Sequence, residues 1–415
     1  MTVTIHPSQA QGKITAPPSK SMAHRLLLAA ALSRELCAVE NLSFSKDVCA
    51  TLDCLKALGA GIRVEGSTVT VDGTGFLSGE AGVILPCGAS GSTLRFLIPL
   101  LLTTGRPALF TGDASLFSRP LEPYREICAE QGCLFLLSED RLAVQGRLNP
   151  GLFELPGNVS SQFVTGLLYA LPLLNGPSEI RVLPPVESAS YIKMSLLTLR
   201  DFGIRVVSVG DGKFHIPGNQ KYRPHRTKVE GDWSNAAFLE ALNLIGGKVE
   251  VKGLNRLSPQ GDKVCMDHYK ALLKGKPTIN LSDCPDLAPI LMAVAAACHG
   301  AIFTDAGRLR LKESDRGRAM AQELSKFGAE VVAEDERIWV GESKLHRPTE
   351  ILDSHNDHRI AMALAVLCTL CSGTIRGAEA VSKSWPDFFR VLAKLGVEIT
   401  EAEDQAVSDS QEETK

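Results

Sequence analysis

Seven residues, Ser19-Lys20-Ser21-Met22-Ala23-His24-Arg25, stand between Ala16-Pro17-Pro18 and the apolar run Leu26 to Leu32. The prolines stop whatever precedes, and Ser19 is suited to cap a helix start. Exposed amides and the dipole at such an end favour an anion, and Lys20, Ser21 and Arg25 lie within about one and a half turns of it. A phosphate or a carboxylate is the expected occupant. The plainer alternative is a capped surface helix with two solvated cations. No Gly-x-x-x-x-Gly precedes Lys20-Ser21, so a P-loop is excluded.

Similar polar clusters stand where other helices should begin. Gly88-Ala89-Ser90-Gly91-Ser92-Thr93-Leu94-Arg95 is a small-residue turn whose amides could approach a ligand closely. Val159-Ser160-Ser161-Gln162-Phe163 offers two hydroxyls and an amide, which would equally serve as ordinary capping. Cys284-Pro285-Asp286-Leu287 sets a carboxylate before an apolar stretch, and Arg310-Leu311-Lys312-Glu313-Ser314-Asp315-Arg316 is dense in charge. A charged helix start with i,i+3 pairs would also explain the latter. Asn356-Asp357-His358-Arg359 and Ser382-Lys383-Ser384-Trp385-Pro386-Asp387 complete the set. Adjacent residues on a helix do not face each other, so Asp357-His358 is no catalytic dyad.

Lys20, Arg25, Arg95, Arg119, Lys312, Arg316, Arg359 and Lys383 together place many cations at turn-like positions in a chain of net charge -3. Such a cluster fits a small, highly anionic substrate clamped by guanidinium forks. Asp286 and Glu313 are then carboxylates in a cationic cleft, suited to removing and donating protons in an addition and elimination.

The elements that must position these groups recur. A short amphipathic helix ending in Gly, then β-prone residues, occurs at Leu55–Gly59, Ala129–Gly132, Leu199–Gly203, Leu324–Gly328 and Leu392–Gly396. The interval is about 70 residues, with one gap nearly double that. The weaker Leu272-Leu273-Lys274-Gly275 lies inside the gap, so six copies of one α+β unit are expected. Strands are expected to begin at Ile204 and Val397 after two of these helices. A polar stretch from Gln220 to Arg226 divides three units from three, and a cleft between similar lobes is a common ligand site.

The 415 residues are 44% hydrophobic and 22% charged, a globular composition with room for a large core. Apolar runs such as Phe96 to Leu102 are too short to span a bilayer, and Met1 to His6 lacks signal-peptide features. The slight negative charge argues against nucleic acid as the main partner. The odd number of cysteines, 11, reads as reduced thiols in a cytoplasmic protein. Cys368-Thr369-Leu370-Cys371 is a lone C-x-x-C with no second pair to complete a metal site. Residues 401 to 415, acidic and poor in apolar side chains, are expected to form a disordered tail.

Taken in order, Pro17-Pro18-Ser19-Lys20-Ser21, Gly91-Ser92-Thr93-Leu94-Arg95, Arg119-Pro120, Ser160-Ser161-Gln162-Phe163, Pro285-Asp286, Lys312 to Arg316, Asn356 to Arg359 and Lys383 to Asp387 closely resemble the EPSP synthases, members of the enolpyruvyltransferase family. The likeness runs from about residue 5 to 398. It implies an α/β fold of two lobes, each an inside-out α/β barrel of three βαβαββ units. The implied boundaries are residues 14–226 for one lobe and 1–13 plus 227–400 for the other.

The resemblance also implies transfer of the enolpyruvyl group of phosphoenolpyruvate to the 5-hydroxyl of shikimate 3-phosphate, with no metal or organic cofactor, by a monomer. Shikimate 3-phosphate would be held by Lys20, Ser21, Arg25, Ser160, Ser161, Gln162, Ser188, Asp286 and Lys312. Phosphoenolpyruvate would be held by Lys20, Gly91, Arg119, Gln162, Arg316, Arg359 and Lys383. Asp286 would accept the hydroxyl proton, while Glu313, with Lys20 nearby, would handle the methylene proton. The chain differs from the family pattern at Ala89, where Asn is usual, at Ser92, where Thr is usual, and at Arg308, where some members carry Asn. Alternatives are the sister transferase acting on UDP-N-acetylglucosamine, which has Lys-Asn in place of Lys20-Ser21, and a non-catalytic phosphate-sugar binding protein.

Overall fold

The computed structural model describes residues 1–79, 81–210 and 212–402. It is a mixed α/β protein built on small sheets, five of four strands and one of two. In a representative sheet, Val83–Gly88 pairs parallel with Ala108–Gly112, which pairs antiparallel with Arg141–Gln145, and Leu134–Leu137 forms the edge. The parallel step needs a crossover, supplied by the helix Gly91–Thr104, whereas Leu134–Leu137 and Arg141–Gln145 are joined by a hairpin. Buried and exposed residues alternate along Val83–Gly88, so one sheet face is solvated. Crossover helices such as Ala288–Ala297 and His358–Cys371 are apolar on nearly every side and correspondingly buried.

Gly59, Gly132, Gly203, Gly328 and Gly396 all take positive φ at the ends of the repeated helices, the left-handed cap that glycine adopts without a Cβ clash. The sixth copy differs from expectation. Gly275 has φ 158° and ψ -152°, which is extended backbone rather than a left-handed cap. The chain runs from it into Thr278–Asn280 of the next sheet. Among the described residues the unit therefore lacks a hairpin, and Lys248–Lys252 pairs only with Gln11–Thr15.

Other strand limits also differ from the sequence expectation. The strand after Gly203 starts at Val207 and the one after Gly396 at Ile399, each a few residues late because the chain must leave the helix cap before it can reach its partner. Glu401 and Ala402, expected in the tail, complete a strand by pairing with Val3 and Thr2. The rest of the expected tail, residues 403–415, and Asp211 in the Gly210-Asp211-Gly212 turn lie outside the described residues.

The buried apolar side chains form two clusters. One draws on residues from Ala23 to Val229; the other combines Val3, Ile5 and Ala10 with residues from Trp233 to Val397. No helix among the described residues is long and apolar enough to cross a membrane.

Candidate active site

One polar cleft is lined from both clusters' elements. Ser19 caps the helix Lys20–Leu32, its hydroxyl accepting from the Met22 amide at 3.4 Å. This cap sets Lys20 and Ser21 at the cleft, where Lys20 Nζ meets Asp47 Oδ2 at 2.7 Å. Arg25, one turn further in, is buried and donates to Ser195 Oγ at 2.9 Å, Ser21 O at 2.7 Å and Tyr191 O at 3.1 Å. Burial lowers its pKa to about 10, which still leaves it charged at neutral pH.

Ser90 caps the helix that begins at Gly91, and Ser160 caps the one that begins at Ser161. Ser160 therefore caps its helix and also lines the cleft beside Ser161. Gln162 is fixed from both ends: its Nε2 donates to Ser92 Oγ at 3.0 Å, and its Oε1 accepts from Arg95 Nη1 at 2.7 Å. A Cβ added at Gly91 would lie 3.0 Å from Arg119 Nη1 and 3.1 Å from Arg95 Nη1. Glycine is thus what lets the two guanidiniums approach the helix start.

The second half supplies the carboxylates. Asp286 sits in the 3-10 turn Pro285–Leu287. Lys312 and Glu313 occupy the link between the 3-10 helix Gly307–Leu311 and the helix Arg316–Ser325, which is capped by Asp315. The helix thus starts only at Arg316, and Lys312 and Glu313 face the cleft instead of forming its first turn. Arg316, 1% exposed, donates to Asp286 Oδ1 at 2.8 Å, Glu313 Oε2 at 2.7 Å and Asp357 Oδ2 at 2.8 Å. Asp357 caps its own helix by accepting from the Arg359 amide. Arg359 Nη2 reaches Asp286 Oδ2 at 3.1 Å, and Lys312 Nζ lies 3.6 Å from Asp286 Oδ1.

Burial disfavours charge on Asp286, but Arg359, Lys312 and Arg316 outweigh it and hold the carboxyl well below the usual carboxylate range. Glu313 is in the same position, with Arg119, at 3.1 Å, and Arg316 overcoming its burial. Lys312 is pushed down to about 8 by burial, against the pull of Asp286. Burial, then Lys20 and Arg359, hold His358 well below its ordinary value, so its ring is neutral. It lies 3.8 Å from Asp357, beyond a hydrogen bond, and neither ring nitrogen has a partner among the described residues.

The cleft thus gathers Lys20, Ser21, Arg25, Gly91, Arg119, Ser160, Ser161, Gln162, Ser188, Asp286, Lys312, Glu313, Arg316 and Arg359. Lys383 is not among its lining residues; its Nζ is tied to Asn356 O at 2.6 Å and Asn356 Oδ1 at 2.9 Å. Residues 5–392 match the family model for EPSP synthase (3-phosphoshikimate 1-carboxyvinyltransferase). The chain belongs to the EPSP synthase family.

Among its relatives, the 3-phosphoshikimate 1-carboxyvinyltransferase of Clostridium acetobutylicum is 42% identical over 423 residues, covering 96% of this chain and 98% of that one. The one from Clostridium novyi is 41% identical over 425 residues, covering 95% and 97%. The solved EPSP synthase of Acinetobacter baumannii aligns with a TM-score of 0.77 at 24% identity, over 96% of this chain and 100% of that chain, a likeness of fold.

Within this EPSP synthase family site, sequence reasoning missed Asp47 and Tyr191. Asp47 follows the Ser45 cap in the first turn of its helix, the same arrangement as the other clusters, and that signal was available. Tyr191, whose hydroxyl donates to Asp286 Oδ2 at 2.9 Å, stands on the helix Ala189–Asp201 with nothing local to mark it. Arg308, noted only as a departure from the pattern, lines the cleft and donates to Ser188 Oγ at 2.7 Å.

Proposed function

We infer that this protein transfers the enolpyruvyl group of phosphoenolpyruvate to the 5-hydroxyl of shikimate 3-phosphate and releases phosphate. The observation that carries this reading is the pair of carboxylates, Asp286 and Glu313, joined by one buried guanidinium inside a ring of cations. Addition and elimination require one group to take the hydroxyl proton and another to give and then recover a proton at the methylene carbon.

Asp286 is the base. It is ionised and therefore able to accept, and Arg359 and Arg316 fix its oxygens. Glu313 is the methylene acid. Without substrate it is ionised because Arg119 and Arg316 hold it. The phosphate and carboxylate of phosphoenolpyruvate compete for those guanidiniums, and each contact they take raises the proton affinity of Glu313. The substrate thus charges its own acid.

Lys20, Gly91, Arg119, Gln162, Arg316 and Arg359 would hold phosphoenolpyruvate, and Lys383 would join them by leaving Asn356. Ser21, Arg25, Ser160, Ser161, Ser188, Asp286 and Lys312 would hold shikimate 3-phosphate, with Lys20 and Gln162 between the two. Two lobes, 14–226 and 1–13 with 227–400, would close on these ligands as inside-out barrels, a reading supported by the two separate cores. The pairs Arg119–Glu313, Tyr191–Asp286 and Arg308–Ser188 bridge them. The cleft is complete within one chain, which fits a monomer, and all eleven cysteines are free, which fits a reducing cytoplasm.

Phosphate release from phosphoenolpyruvate, measured with and without shikimate 3-phosphate, tests the reading. Release that requires both compounds is expected. No release, or release indifferent to shikimate 3-phosphate, would overturn it.

A further inference from the structure

Four helices that begin at the active cleft end together at a second cavity. Lys20–Leu32, Gly91–Thr104, Ser161–Ala170 with its 3-10 extension Leu171–Leu173, and Ala189–Asp201 bring Leu32, Thr104, Leu173 and, just past the last helix, Gly203 to its wall. Its volume is about 1540 Å³, and it shares no lining residue with the cleft. A helix of 13 residues is about 20 Å long, so the two cavities lie roughly that far apart.

Arg34, Arg106, Arg147, Lys221 and Arg223 line this cavity, and Glu35 is the one carboxylate among its described lining residues. Helix C-termini attract cations, which is the plainer account of them. Each end carries about half a negative charge, so four ends and Glu35 supply roughly three negative charges against five positive ones, an excess of about two. Three of the arginines are also held in place by glycines. A Cβ added at Gly79 would lie 3.0 Å from Arg106 Nη1, at Gly105 3.3 Å from Arg147 Nε, and at Gly203 3.0 Å from Arg223 Cδ. Arg106 Nε further donates to Ala81 O, and Arg147 Nη2 to Thr104 O at 2.8 Å. Arg34, Lys221 and Arg223 are exposed and have no ion-pair partner among the described residues. Arg34 takes φ 55° just past a helix end, a left-handed position that favours glycine, so its side chain stands where glycine would relieve the backbone.

We propose that this cavity binds a small ligand bearing a chain of phosphate groups, at a site separate from the active cleft. Guanidinium groups meet phosphate oxygens two at a time, and here they come from the ends of two helices, from the strand end before Arg147 and from the stretch around Lys221. A single phosphate would reach one wall. Several linked phosphates can meet cations on more than one and take up the excess charge. The volume exceeds the roughly 300–1,000 Å³ of ordinary small-molecule sites, which leaves room for a nucleoside beyond the phosphates. Nucleoside polyphosphates and inorganic polyphosphate share this chemistry.

The test is calorimetric titration of the full chain with tripolyphosphate and with ATP, at about 0.15 M salt so that loose surface attraction is screened. Three proteins are compared: wild type, a triple variant with Arg34→Gln, Lys221→Gln and Arg223→Gln, and Arg119→Ala in the active cleft. The glutamines keep part of each stem and the positions are exposed, so Tm and turnover of the triple variant should match wild type. Wild type should bind one equivalent of at least one compound, the triple variant should bind it about tenfold or more weakly, and Arg119→Ala should bind it as wild type does. Tighter binding of ATP assigns the nucleoside form; binding of tripolyphosphate as tight or tighter assigns the bare chain. Binding lost in Arg119→Ala but kept in the triple variant would put the phosphates in the active cleft and overturn the proposal. Equal binding by all three proteins, or none by wild type, would overturn it as well.

Discussion

Asp286 and Glu313 are held by the two ends of one guanidinium: Arg316 Nη1 meets Asp286 at 2.8 Å and Nη2 meets Glu313 at 2.7 Å. The third nitrogen, Nε, is spent on Asp357, which is itself fully buried. The spacing of the two carboxylates is therefore set, in this structure, by one rigid planar group whose three nitrogens are all paired.

Arg316→Met should leave three carboxylates near one another with one shared cation gone. A buried charge without its partner costs about 3–5 kcal/mol, so the midpoint of urea unfolding should fall sharply. Arg316→Lys restores the charge but not the fork, and should recover stability in part while activity stays low. Equal urea midpoints for wild type and Arg316→Met would show that the pairing contributes nothing to folding.

Gly91→Ala acts on a different wall. The new Cβ would lie 3.0 Å from Arg119 Nη1 and 3.3 Å from Gln162 Oε1, so the tips of both side chains must yield. These are side-chain ends, not backbone, but Gln162 and Arg119 are each hydrogen-bonded or ion-paired in place, so Tm should fall slightly. Arg119 is nevertheless held by Glu313, and its displacement should raise KM for phosphoenolpyruvate several-fold, more than KM for shikimate 3-phosphate, which feels only the smaller shift of Gln162. Steady-state kinetics with each substrate varied in turn would detect an equal change in both and so reject the assignment of Arg119.

Much of this site was legible because its residues are helix starts. Ser19, Ser90, Ser160, Asp315 and Asp357 each accept from an amide of the helix that follows, and capping residues are among the clearest local signals in a sequence. The charged groups beside them inherit that legibility. Tyr191 does not: it reaches the site from a segment whose local pattern is an ordinary amphipathic sequence, and only the approach of distant elements brings its hydroxyl to Asp286. The repeat was legible in five copies through left-handed glycines; the sixth helix also ends at a glycine, Gly275, and a strand follows, but the backbone there is extended rather than left-handed.

Asp262, buried in the 3-10 turn Gly261–Val264, should make stability depend on pH. The folded carboxyl titrates at about 7, above the ordinary value near 4, so the folded state binds the proton more tightly than the unfolded chain. Wild-type stability from this group is therefore present at low pH and is lost as pH rises from about 4 to about 7. Asp262→Asn has no such loss. Its stability relative to wild type should grow across that window, by at most about 4 kcal/mol, and level off above it. Denaturant melts at pH 5 and pH 8 check this, and a constant difference between the proteins would mean that Asp262 titrates normally.

Glu313 gives the sharpest test, because its ionisation should change on binding. In the free protein it is held by Arg119 at 3.1 Å and Arg316 at 2.7 Å, and it carries a negative charge at neutral pH. If phosphoenolpyruvate sits as proposed, its anionic oxygens would reach the same guanidiniums, and binding should draw a proton onto Glu313. Calorimetric titrations in buffers of different ionisation heat should show proton uptake in the wild type and much less in Glu313→Gln. In deuterated water with both substrates, deuterium should enter the methylene group with the wild type and far more slowly with Glu313→Gln. Asp286→Asn should keep the proton uptake on binding phosphoenolpyruvate while turnover falls by about 10²–10⁴-fold. Wild-type uptake and exchange in Glu313→Gln would remove Glu313 from the role of methylene acid, whatever the fate of Asp286.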